Sequence, residues 1–277
     1  MRWRKRIKTL LLLLGISLWL FSKRGLAQEP SIHKEYIFGV VPQYPATEIY
    51  QAWRPFLAYL SKETQIPIRL KLYDSIPVFE RGFMVGEMDL AFMNPYHMTV
   101  AHDRQGYIPL VHDGSRVLRG IIVVARDSPI KGLDDLQNAT IVFPAPNAFG
   151  ASICVRRLLR QNNIVFIPEY VKTHSNVYRY VALGLARAGG GVRSSLRKQP
   201  RALQQQVRVL AQTPPVNPHP IAAHPRVPPE IRARITAAIQ KMTRDPEGQR
   251  LLDGILIHQP VVSNYERDFA PVADGVP

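Results

Sequence analysis

The chain has 277 residues, 46% of them apolar, with 36 Lys/Arg against 21 Asp/Glu and one cysteine. That length and apolar share support a sizeable core, as one large or two smaller lobes, while a lone cysteine excludes both an internal disulfide framework and a multi-cysteine metal site. Much of the basic excess lies at the start: residues 1–27 hold seven Lys/Arg and no Asp/Glu, so without them the formal charge falls from +15 to +8.

Five basic residues between Arg2 and Lys8 precede an apolar run from Leu10 to Phe21, then Gly25-Leu26-Ala27 before Gln28. This order reads as a secretory signal peptide cut after Ala27, and the run is short for a membrane span of about 20 residues. Lys23 and Arg24 are atypical there, which leaves an uncleaved anchor as the alternative. A lipid on a cysteine at the new N-terminus is excluded, because the only cysteine is Cys154. The remaining Lys and Arg are spread over helix faces with no basic stripe of interleaved aromatics, which disfavours nucleic acid. A modest positive field suits an anionic ligand.

From residue 36 strands and helices alternate. Tyr36–Val41 reads as a strand, and Thr47 as the cap of a helix with the stripe Ile49, Ala52, Trp53, Phe56, Leu57 and Leu60. Ile68, Leu70 and Leu72 alternate with Arg69 and Lys71 as a second strand. A short helix around Val78–Val85 leads to a strand at Met88–Met93, which Asn94-Pro95 breaks before a helix from about Tyr96 to Arg104. Gly120–Ala125 is another strand. The run Thr140–Ser152 then reads as a buried strand, a Pro-punctuated turn and a helix start, with Ala151, Cys154, Val155, Leu158 and Leu159 as the apolar stripe. Such a turn leaves backbone N–H groups unpaired at a positive helix end, a ready anion site. Its place on the stripe makes Cys154 a buried structural thiol. Ile164–Val171 is a strand, Thr173-His174-Ser175 a turn, and Val177, Tyr180, Val181 and Leu185 the stripe of the next helix. Thr213–Pro229 contains seven prolines, too many for a helix or a central strand. A last amphipathic helix carries Ile231, Ile235, Ala238, Ile239 and Met242.

These βα units imply an α/β protein of two lobes, each a mainly parallel sheet flanked by helices, with the chain crossing between them twice. Ligands in such sheets sit beyond the carboxyl ends of the strands. Four turns therefore become candidates: Pro42–Ala46, Asn94–His97, Ala145–Gly150 and Thr173–Asn176. The histidines His97, His102, His112, His219 and His224 lack ligand spacing and nearby carboxylate or thiol partners, so no metal is expected. Gly189–Gly191 lacks the ending of a P-loop and the spacing of a dinucleotide fingerprint, and no nucleophile elbow is present.

As a set, Phe38-Gly-Val-Val-Pro-Gln43, Met93-Asn-Pro-Tyr-His97, Asp127-Ser-Pro-Ile-Lys131, Thr140–Ser152 and Lys172-Thr-His-Ser-Asn176 resemble the phosphate/phosphonate-binding periplasmic proteins of ABC importers. The similarity runs over about residues 36 to 270. It implies a type II periplasmic binding fold that closes on an oxyanion, without catalysis and without a cofactor. It implies lobes of residues 28–118 plus 214–277 and of 119–213, and ligand contacts from Tyr44, Tyr96, Asn147, Ala148, Phe149, Gly150, His174 and Ser175. Asn147 and Ala148 stand where better-studied members carry a hydroxyl pair, so backbone N–H groups must do more of the binding. The stretch Gly184–Val192 lacks the acidic residue that balances an ammonium in aminophosphonate binders, which favours phosphate, phosphite or a simple phosphonate. The implied partner of a monomeric binding protein is an inner-membrane ABC permease; a sensing subunit for a membrane histidine kinase is the alternative. A secreted phosphoesterase is the third reading, disfavoured by the lack of a nucleophile–base pair.

Overall fold

A computed structural model describes residues 35–273; the segment read as a signal peptide lies outside the described residues. The chain lays down β1 (Tyr36–Val40), β2 (Ile68–Lys71), β3 (Leu90–Phe92) and β4 (Ile108–Asp113). It then crosses to build β5 (Gly120–Ala125), β6 (Ala139–Phe143), β7 (Phe166–Tyr170), β8 (Ala188–Val192) and β9 (Val207–Gln212), and returns for β10 (Ile221–Ala223) and β11 (Pro260–Val262). Two sheets result, ordered β11-β4-β10-β3-β1-β2 and β7-β6-β8-β5-β9. Pairings among β1, β2 and β3 and among β6, β7 and β8 are parallel, whereas β5, β10 and β11 pair antiparallel.

Helices flank both sheets: α1 (Ala46–Thr64), α2 (Ile76–Met84), α3 (Pro95–Gln105), α4 (Cys154–Gln161), α5 (His174–Ala182), α6 (Arg193–Arg197), α7 (Arg201–Gln206), α8 (Pro229–Lys241) and α9 (Pro246–Gly254). The α1 stripe buries Ile49, Trp53, Phe56, Leu57 and Leu60 against β1, with the Trp53 ring 5.2 Å from Phe38. Thr47 is not its cap: the helix starts at Ala46 behind Pro45, whose fixed φ already suits a helix entrance. On the opposite face of the sheet, Phe79, Phe83, Met98 and Tyr107 form a second core. That core also takes in Ala145, Ala148, Ala151 and Val192 from the second-sheet half, so the two halves share buried surface. The crossover segments 114–119 and 213–220 lie side by side, with Leu118 and Val216 exchanging N–H···O bonds of 2.8 and 3.0 Å.

The Pro-rich return departs from its expected role. Between Pro220 and Pro225 lies a proline-free triplet, Ile221-Ala222-Ala223, which pairs with β3 on one edge and β4 on the other. Prolines exclude a strand only where their missing N–H groups would fall, and here they flank it. Leu185 also departs from the expected stripe, since α5 stops at Ala182 and Leu185 stays exposed. Strands β4, β8, β9 and β11 carried no usable periodicity.

Strand β8 is fully buried yet runs Ala-Gly-Gly-Gly-Val. A β-carbon on Gly190 would lie 2.0 Å from the Ala151 carbonyl oxygen, and one on Gly189 would lie 2.5 Å from Val177. The glycines thus let the turn before α4 press on one face of β8 and α5 on the other. Gly190→Ala should therefore cost about 1–3 kcal/mol by forcing backbone apart, read as a fall in melting temperature. Gly132→Ala, where no atom lies within 4 Å, should leave it unchanged; equal melting for both variants would refute the packing argument.

Candidate functional site

A cavity of about 510 Å³ opens where the crossovers and the strand-to-helix turns of both halves meet. Its second-sheet wall includes Ala148, Phe149, Gly150 and Ala151. The chain leaves β6 through Pro144 and Pro146, forms one π-helical turn at Phe149–Ile153, and continues as α4. The first main-chain bond into that turn is Ser152 N–H to Ala148 O at 2.6 Å. Among the described residues, the N–H groups of Phe149, Gly150 and Ala151 have no partner. Those orphan donors at a positive helix end are the electrostatic equipment for holding an anion.

His174 enters the same cavity from the start of α5. Thr173 caps that helix by accepting from Asn176 N–H at 3.1 Å, and Lys172, at φ 73°, turns the chain into it. The ring is buried, with Nδ1 3.2 Å from Ser195 Oγ, while Nε2 has no partner among the described residues. Burial pushes the His174 pKa down to about 4, so the ring is neutral near pH 7. Desolvation is the cause, since taking the ring out of water penalises its charged form. A second imidazole, His219, lines the cavity from the return crossover, meets the Gln43 amide and stacks on Phe92 at 5.4 Å. Burial first, then His97, His174 and Arg116, pushes its pKa down to about 3.

From the first-sheet half, Tyr44 lines the cavity, with its hydroxyl buried and lacking a partner of hydrogen-bonding geometry. Burial is the main cause of its raised phenol pKa. The Lys198 ammonium sits 3.7 Å from the centre of the Tyr44 ring and 3.8 Å from Glu48 Oε2. Asn94 caps α3 by accepting from His97 N–H at 2.7 Å, and its amide donates to Asn147 O at 3.1 Å, joining the halves. Among the described residues, Arg116, Arg119, Arg193, Arg197 and Lys198 line the cavity against two carboxylates, Glu48 and Asp113. Asp113 is 2.7 Å from Arg116 Nε and accepts from Ser115 N–H, Ser115 Oγ and Gln259 N–H. Burial would raise its pKa, but those bonds and Arg116 together hold it below the usual carboxylate value.

Of the sequence-predicted residues, Tyr44, Ala148, Phe149, Gly150 and His174 line the cavity together; Tyr96, Asn147 and Ser175 do not. Tyr96 packs on the patch of Phe149, Ile153 and Val272. Asn147 contributes its carbonyl to Asn94, and Ser175 is half-buried in the first turn of α5. His219 and the five cations escaped the sequence reading, because only the two crossovers and α6 bring them to the site; Asn94 lay in a candidate turn but was assigned no contact of its own. The other histidines are dispersed: His97 on Glu80, His102 stacked on Tyr265, His112 on Ser263, His224 on Gln105. Among the described residues no group of three or more His, Cys, Asp or Glu could hold a metal, and no helix is long and apolar enough to cross a membrane. Cys154 is half-buried, its thiol pushed up to about 12 by burial.

The model of a family described as "ABC transporter, phosphonate, periplasmic substrate-binding protein" matches residues 38–267. The chain belongs to this family. Comparison with curated proteins gave no match. Among solved structures, a binding protein component of an ABC phosphonate transporter from Pseudomonas aeruginosa superposes with a TM-score of 0.77 at 15% identity, over 87% of this chain and 85% of that one. PhnD1 from Prochlorococcus marinus, in complex with methylphosphonate, gives 0.77 at 15% identity over 87% and 96%. A Xanthomonas citri protein bound to ATP gives 0.73 at 16% identity over 87% and 96%. These likenesses place the fold among type II periplasmic binding proteins, and the phosphonate-binding family is one of transport components.

The buried neutral histidines of the cavity, His174 and His219, should make this phosphonate-family protein less stable in acid. Between the ordinary histidine pKa and the lowered values, the unfolded chain binds protons that the folded chain refuses, so stability falls as pH drops from about 6.5 towards 4. Each histidine should contribute about 1.4 kcal/mol per pH unit across that window. Denaturant titrations should show His174→Gln flattening this slope; an unaltered slope would mean that His174 is charged in the folded protein. Asn94→Ala should lower stability by about 1–2 kcal/mol through the lost cap alone, measured by the same titration.

Proposed function

We propose that the chain captures a small phosphorus oxyanion, a simple phosphonate, phosphite or phosphate, in the periplasm and delivers it to an ABC permease of the inner membrane. The lobes are residues 28–118 plus 214–277 and residues 119–213, and they close about the two crossovers. The observation that carries the reading is the meeting of three unpartnered N–H groups, at Phe149, Gly150 and Ala151, with the open Nε2 edge of His174 in one cation-rich cavity.

In this reading the backbone N–H groups take two of the oxygens and His174 a third. Ser195 donating to His174 Nδ1 leaves Nε2–H for the ligand, while Tyr178 keeps the Val192 carbonyl at 3.1 Å. The unpartnered Tyr44 hydroxyl supplies a donor from the opposite lobe. The Ser195–His174 contact does not serve catalysis in this reading: Ser195 is buried and absent from the cavity lining, and its one proton goes to His174 Nδ1. Both cavity carboxylates stand beside cations, Asp113 beside Arg116 and Glu48 beside Lys198, so no free carboxylate awaits a ligand ammonium. A plain oxyanion is thereby favoured over an aminophosphonate. Submicromolar binding requires roughly 8 kcal/mol, within reach of a few charge-assisted bonds in a closed cleft.

Calorimetry against phosphate, phosphite, methylphosphonate and aminoethylphosphonate should give heat with the first three and the weakest binding with the last. Silence with every phosphorus anion would sink the reading. His174→Ala should weaken binding roughly 10- to 100-fold, the worth of a hydrogen bond to a charged group. A His174→Ala variant that binds as tightly as the parent between pH 6 and 8 would take His174 out of the ligand shell.

A further inference from the structure

Charge is shared unevenly between the two halves. Residues 119–213 hold 14 Lys/Arg against 4 Asp/Glu, a formal charge of +10. Residues 28–118 plus 214–277 hold 15 against 17 and stand at −2. No Asp or Glu occurs from Tyr170 to Pro229, a run that carries nine Lys/Arg. Much of this run folds into one layer, because α5, α6 and α7 pack together on the Val142 side of the second sheet. The solvent side of the layer exposes Arg179 on α5, Arg187 after it, Arg193 and Arg197 on α6, Lys198 behind it and Arg201 on α7. Among the described residues only Lys198 of these six meets a carboxylate, and that acid, Glu48, belongs to the other half. The first-sheet half instead neutralises cations internally, in pairs such as Arg69–Glu35, Lys71–Glu87 and Arg226–Asp89. Unpaired like charge repels itself, and an anionic partner relieves that repulsion.

The same layer also exposes apolar side chains. Leu183 and Leu185, 70% and 62% exposed, stand in the turn between α5 and β8. Val165 and Ile167, each 60% exposed, belong to the edge beside β6. Ile167 pairs with Thr140, and strand alternation puts both on the side of Val142, where α5 lies. Glu169, which pairs with Val142, is an acid on that side. None of the four apolar residues lines the cavity described above. Cations spread over three helices suit a plane of diffuse negative charge better than a single acidic side chain. Leucines standing among them are what such a plane of lipid headgroups accepts at its boundary with the acyl chains.

We infer that the α5–α7 face of the second half is a docking surface for anionic phospholipid, which keeps the protein beside the bilayer. This is independent of which ligand the cavity holds.

The test is flotation of the full chain with vesicles of phosphatidylcholine alone or mixed with phosphatidylglycerol, with hydrogen exchange to locate the contact. Every variant keeps residues 1–27, themselves basic and apolar, so differences between variants belong to the face. Exchange over residues 165–187 should slow on the phosphatidylglycerol vesicles and not on phosphatidylcholine, and high salt should release it. A cation near such a surface is worth about fivefold in affinity. Arg179→Gln, Arg187→Gln and Arg201→Gln combined should therefore weaken binding on the order of 100-fold. Arg54→Gln, Lys62→Gln and Arg244→Gln combined, which remove the same charge from exposed positions of the other half, should bind as the parent does. Equal losses in the two triple variants, or exchange over 165–187 that ignores the vesicles, would overturn the inference. Slowing by polyglutamate but not by vesicles would overturn it in favour of an acidic protein partner.

Discussion

Everything at the site depends on a backbone-to-backbone contact. The Ala151 carbonyl rests on Gly190, and the Gly150 carbonyl rests on Gly120, so one π-helical turn lies directly on the sheet with no side chain between. Carbonyls of that turn facing the sheet leave its first N–H groups to face the cavity. A side chain at either glycine would lift the turn and misdirect the donors, since a helix end holds an anion only where several N–H groups converge. In the proposed reading, the glycines would act on anion binding through the turn that they let settle on the sheet.

The same contact sets how the two halves meet. Ala145, Ala148 and Ala151, all small, allow the turn to enter a core built mainly from the first-sheet half, where Phe79, Phe83 and Met98 wait. Asn94 then fixes the approach, since its side chain serves both the α3 start and the Asn147 carbonyl across the gap. Rotation about the paired crossovers would break this shared surface, so opening the cleft exposes apolar area and closure recovers it. In the proposed reading, a ligand would add its own contacts to that shared surface.

Much of the fold was legible because burial in an α/β protein leaves periodic traces. The α1 stripe, the strands β1, β2 and β5 and the break at Asn94-Pro95 followed from spacing alone. What was illegible had no such trace. β8 has no large side chain on either face, and β10 spans only three residues between prolines. Among site residues, the helix start and His174 were readable because each follows a strand in the same local pattern. His219 was not, because it reaches the cavity through a crossover whose path depends on pairing with Leu118. The five cations are scattered from Arg116 to Lys198 in sequence and gather only when α6 folds back over the crossover.

In the proposed binding reading, the charges divide the work. Arg119, Arg193, Arg197 and Lys198 are exposed, so salt screens them and each adds little to affinity. Their sum still biases the approach of an anion, which acts on the association rate. The buried donors are of another kind: uncharged N–H groups and two imidazoles that desolvation keeps neutral. A neutral, pre-aimed wall needs no counter-ion when empty, yet its dipoles act at close range in a site that closure dries. Selection then falls to geometry, because dipoles fixed by Gly120 and Gly190 reward an oxyanion whose oxygens match their spacing, whereas mobile surface cations accept any anion.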